Sequence, residues 1–140
     1  MAPLLTSANY PAIRAMIDIT LDTISVPDAI IALDAYVGAG MRDVLALDPL
    51  AESRTGDDLQ HAQTAAVLFT AARLVPALPM IVKETFPDHS YERNKVDSAA
   101  RAAELRNLAA AEIDAYLDVG DVISDRPTRF AVASGRRGRW

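Results

Sequence analysis

The chain has 140 residues, no cysteine and a net charge of −5, enough length for one hydrophobic core and no thiols for a disulfide framework or a thiolate metal site. Charge is unevenly placed: residues 1–120 carry nine basic and seventeen acidic side chains, whereas residues 121–140 hold five arginines against Asp121 and Asp125. A body of that sign repels polyanions, so a nucleic-acid grip through a basic helix face is not expected.

The opening MAPLLTSANYP has no basic segment ahead of an apolar stretch, so no signal peptide is expected. Asn9-Tyr10-Pro11 can start a short helix running through Ala12 to Ile17. Ser25-Val26-Pro27-Asp28 has capping-box spacing, with Ser25 able to accept from the amide of residue 28 and Asp28 able to reach back. Behind it Ile30, Leu33, Val37, Met41 and Val44 form one apolar stripe, closed by Asp48-Pro49. Gly38 and Gly40 inside this helix predict either a close helix crossing, within the fold or against another subunit, or a local kink.

Thr55-Gly56-Asp57-Asp58 repeats the start signal, and the helix behind it becomes apolar nearly all round from Ala65 to Val75. The most apolar window, Ala65 to Val82, contains Arg73, Pro76 and Pro79, which favours a buried helix with a broken end over a membrane span. The prolines place a kink or stop near Val75 and make Met80 to Phe86 an irregular or strand-like segment. Pro87-Asp88-His89-Ser90 reads as a turn. A last helix follows from Tyr91 or Asp97 to Asp118, with Leu105, Leu108, Ala109, Ile113, Tyr116 and Leu117 at helical spacing and Gly120 as its stop. No hairpin chemistry or fixed-period repeat appears, so the fold class is all-α: an antiparallel bundle of three to four helices over residues 1–120, with an extended basic C-terminal arm over residues 121–140.

Chemistry-bearing motifs are sparse. His61 and His89 are the only histidines, and no HExxH or other ligand spacing joins them to carboxylates, so no metal site, cofactor or catalytic residue is assigned and no enzyme is expected. Gly38-Ala39-Gly40 falls inside a helix rather than between strand and helix, which argues against a phosphate loop. Glu104, Glu112, Asp114 and Asp118 are spaced as a solvated helix face, or as the lining of an acidic channel if copies assemble. The arm differs from a frayed terminus in composition. Phe130 and Trp140 alternate with Arg126, Arg129, Arg136, Arg137 and Arg139, a mixture suited to docking on another protein chain.

The stretch VPDAIIALDAYVGAGMRDVLALDP, the alanine-rich TAAVLFTAARLVPALP and the arm RPTRFAVASGRRGRW together resemble the head–tail connector (adaptor, or head completion) proteins of tailed bacteriophages, over roughly Ser25 to Trp140. The resemblance implies a virion protein forming a homo-oligomeric ring, commonly a dodecamer, beneath the portal protein. Such a ring joins the DNA-filled capsid to the tail or to a second adaptor and lets DNA pass without specific binding. It also implies that Arg126, Arg129, Phe130, Arg136, Arg137, Arg139 and Trp140 contact the portal or a neighbouring subunit. The alternative from the residues alone is a stand-alone helical regulatory or interaction module whose arginine-rich tail binds nucleic acid.

Overall fold

A computed structural model describes residues 3–18, 21–85 and 95–120, with side chains placed through residue 81 and again over 98–117. The helices are α1 (Tyr10–Ile17), α2 (Asp28–Ile31), α3 (Ala39–Leu47), α4 (Gly56–Leu74), α5 (Leu78–Thr85) and α6 (Lys95–Gly120). The described residues contain no strand, and the chain is all-α.

Thr6 organises the first turn: its hydroxyl accepts from the Ala8 amide at 3.3 Å while Asn9 Oδ1 accepts from the Thr6 amide at 2.8 Å. Pro11 then lies in the first turn of α1, where an amide donor is not needed. The helix buries Tyr10, Ile13 and Arg14. Arg14 donates from Nε to the Val26 carbonyl at 2.8 Å and pairs through its guanidinium with Asp28.

That pairing overturns the expected capping box at Ser25. Asp28 is taken by Arg14, and Ser25 by Asp22, whose Oδ1 accepts from the Ile24 and Ser25 amides and from the Ser25 hydroxyl. Pro27 precedes α2 with no side-chain cap. The start position holds, but a long-range arginine and a tighter local turn win the capping groups. Thr55 likewise makes no side-chain cap to α4, whose first residue, Gly56, has φ of +62°, a left-handed conformation that favours glycine.

The single helix expected from Asp28 to Asp48 is broken. Leu33 is extended (φ −61°, ψ 143°), and the chain re-enters through a π-turn at Asp34–Gly38 before α3. The break resets the helical phase. Ile31, Val37 and Val44 all reach the core, while Leu33, which an unbroken stripe would bury, is half exposed.

α4 is the hub, packed against α1, α3 and α6. From Ala65 to Ala72 every side chain on it is buried, and its alanines let neighbours approach closely. Gly40 is where α3 comes nearest: a β-carbon built there would stand 2.1 Å from Thr70 Oγ1 and 3.0 Å from the Thr70 amide nitrogen. Of the readings left open for the glycines, this one is a close crossing inside the subunit. The stretch Gly56–Ile81 is long and apolar enough to cross a membrane by length and composition, and 61% of its most apolar window is buried inside the fold.

The segment after α4 is helical rather than strand-like. Val75–Ala77 forms a 3₁₀ turn and α5 follows directly, because Pro76 and Pro79 each fall in a first turn, where the missing amide breaks no intrahelical bond. α6 runs unbroken for 26 residues and includes Gly120. The turn expected at Pro87–Ser90 and the arm over residues 121–140 lie outside the described residues.

Candidate functional site

Two polar features stand out beside α6. The first closes the end of the fold where α6 finishes. Asp48, 2% exposed, receives two bonds from Arg54 (Nε at 3.0 Å, a terminal nitrogen at 2.9 Å), one from the Leu50 amide at 3.2 Å and one from the Tyr116 hydroxyl at 2.5 Å. The Arg54 guanidinium also lies 5.4 Å from the centre of the Tyr116 ring. Burial alone pushes the Asp48 carboxyl up, but the bonds from Arg54 and Tyr116 outweigh it and hold it below the usual carboxylate range. Burial and the adjoining carboxylate push the Tyr116 phenol up, so it stays a donor.

His61 also stacks with Tyr116, with ring centres 6.2 Å apart, and its Nδ1 meets Glu112 Oε1 at 2.7 Å. These bonds tie the last turns of α6 to the α3–α4 connection and to the first half of α4. No group of three or more potential metal ligands occurs among the described residues. His89 lies outside them.

The second feature is a groove of about 410 Å³ between α3, α4 and α6. α3 contributes Asp43, Ala46 and Leu47, α4 contributes Phe69 and Arg73, and α6 contributes Arg106 and Ala110. Gly40 crosses α4 at Thr70 while Asp48 reaches back to Arg54, so α3 runs antiparallel to α4. α6 does the same, with Glu112 at His61 and Arg106 and Ala110 beside Phe69. The charged members therefore gather at one end of the groove and Leu47, Phe69 and Ala110 at the other. Arg73 is bound to Asp43 by two bonds, at 2.8 and 2.9 Å. Arg106 is exposed and has no ion pair or hydrogen bond among the described residues.

The proposed docking residues Arg126, Arg129, Phe130, Arg136, Arg137, Arg139 and Trp140 lie outside the described residues. Of the carboxylates on α6, Glu104 pairs with Arg101 at 2.8 Å and Glu112 with His61, so these two are not a bare acidic face; the Asp118 side chain is outside the described set. Sequence reasoning used Asp48 only as a helix closer and Tyr116 only as an apolar stripe member. The spacing Asp48-Pro49 to Arg54 was the one available signal, and nothing in it pointed to residue 116. Compared with models of known protein families, with curated proteins and with solved structures, the chain matches none.

Proposed function

We propose that the chain is a head–tail connector of a tailed bacteriophage: an antiparallel helical bundle with an extended C-terminal arm, assembled as a ring below the portal. The arm docks on the portal or on a neighbouring copy through Arg126, Arg129, Phe130, Arg136, Arg137, Arg139 and Trp140. The ring would stand in the virion neck, pass DNA through its channel and bind a tail or second adaptor protein on its far side. No catalytic role or cofactor is part of this reading.

The observation that carries it is the division of charge and aromatics along the chain. Nine basic and seventeen acidic side chains precede residue 121, and five arginines with Phe130 and Trp140 follow it. An acidic wall lets DNA slide, while a basic aromatic arm seeks an acidic protein groove. Tyr116, near the end of the described residues of α6, is fastened to Asp48, a firm base for a tether that follows it in sequence. Repeated around a ring, weak single arms become a durable joint through effective concentration.

The test is electron microscopy of the full chain mixed with its portal. Rings seated on the portal are expected, and replacing Phe130 and Trp140 by alanine should leave the helical circular dichroism intact while abolishing attachment. Salt-dependent duplex DNA binding in the micromolar range, lost with the arm, would instead establish the regulatory module with a nucleic-acid tail.

A further inference from the structure

We infer that a second copy of this chain fills the groove between α3, α4 and α6, seating Leu108 against Leu47, Phe69 and Ala110 and setting Glu104 against Arg106. The inference rests on the ring reading and names its joint. Leu108 is 47% exposed in mid-helix, although the sequence pattern places it with the apolar stripe, and Leu47 in the groove is 41% exposed. Each is an apolar side chain left in water on a different flank of the same subunit.

Position around α6 separates the two. At about 100° per residue, Arg106 and Ala110 each stand about 160° round the helix from Leu108, so groove and projection face opposite ways. A contact between opposite flanks is head-to-tail, the kind that closes into rings, whereas a self-complementary patch closes at two copies.

Charge and polarity agree with that arrangement. Glu104 lies one turn before Leu108 on the projecting flank, and Arg106 lies one turn before Ala110 in the groove. If neighbours are related by rotation about an axis along the helices, their α6 segments run the same way. Leu108 then meets the apolar end while the Glu104 carboxylate arrives at the charged end, within about 3 Å of the height of Arg106. A two-fold arrangement would reverse the helix and bring Glu104 to the apolar end. Arg106 has no ion pair or hydrogen bond among the described residues, and Glu104 is held there by a solvent-accessible pair with Arg101 that it can exchange.

The experiment is sedimentation velocity of the full chain up to about 1 mM, a range that detects even millimolar association. Leu108→Asp removes the projection and keeps the groove, whereas Ala110→Arg blocks the groove and keeps the projection. Circular dichroism and melting check that both fold. Each variant alone should associate at least about tenfold more weakly than the parent chain, and an equimolar mixture should form a one-to-one pair and stop there. In a further arm, Arg106→Glu should weaken association and Glu104→Arg in the same chain should restore it. Failure of the parent chain to associate, unchanged association of both variants, or a mixture that stays monomeric would overturn the inference. Rings on the portal that form equally well with both variants would also overturn it while leaving the connector reading in place. Open-ended association broken by both variants, with no closed ring on or off the portal, would support this joint and count against the connector.

Discussion

Gly40 and Gly38 are two residues apart on neighbouring turns, yet replacing them by alanine should have opposite results. Alanine in a helix is favoured over glycine by about 1 kcal/mol, and both sites receive that gain. At Gly40 the new β-carbon would stand 2.1 Å from Thr70 Oγ1 and 3.0 and 3.1 Å from the Thr70 backbone nitrogen and Cα. Turning the Thr70 side chain would clear the oxygen only by breaking its 2.8 Å bond to the Ala66 carbonyl, and the backbone would still be in the way. α3 must then lift off α4. Overpacking of this kind costs about 1–3 kcal/mol and the lost Thr70 bond about 1 kcal/mol more, so after the helix gain the net loss should be about 1–3 kcal/mol, or a melting temperature lower by about 3–12 °C. At Gly38 the nearest obstacle is the Asp34 carboxylate, also 2.1 Å away, but that side chain is 79% exposed and free to swing. It would forfeit an exposed pair with Arg42 of little worth. Gly38→Ala should therefore melt at or slightly above the parent. Thermal unfolding by circular dichroism decides the matter. A Gly40→Ala chain as stable as the parent, or a Gly38→Ala chain that falls equally far, would refute the claim that α3 crosses α4 at Gly40.

Tyr116→Phe should lower stability by about 1–3 kcal/mol, measured by urea unfolding, because a buried carboxylate loses a donor. Asp48→Asn should cost more, about 3 kcal/mol, since it breaks a buried pair with Arg54. Asp48 sits below its ordinary value of 3.8 in the folded chain, so the stability it contributes is full above that value and is lost as pH falls through the lower folded value. The Asp48→Asn chain should accordingly show a flatter acid limb than the parent. A chain ended at Gly120 should keep its helical circular dichroism and most of its melting temperature, because the buried core among the described residues runs from Leu4 to Tyr116.

What the sequence by itself determined is local. Apolar periodicity and proline placement located α1, the start of α2, the central helix and α6, because those signals act over one or two turns. The all-α class followed from them. The competition among partners belonged to the tertiary structure. Ser25 and Asp28 had the spacing of a cap, but Arg14, fourteen residues before Asp28, offered a stronger charged bond, and no local pattern encodes that choice. Leu33 fitted the stripe, yet Ile31, Val37 and Val44 are the side chains that the core buries, and the break with its π-turn resets the helical phase between them. The prolines after Val75 marked a discontinuity correctly, but whether the chain left the helix or began another turn depended on where each ring fell relative to a first turn. Asp48 and Tyr116 stand 68 residues apart, and their bond exists because α3 and α6 both finish at the same end of α4. The groove is of the same kind: seven residues from three helices, each unremarkable in its own segment, acquire a polarity from the antiparallel directions of the helices that carry them.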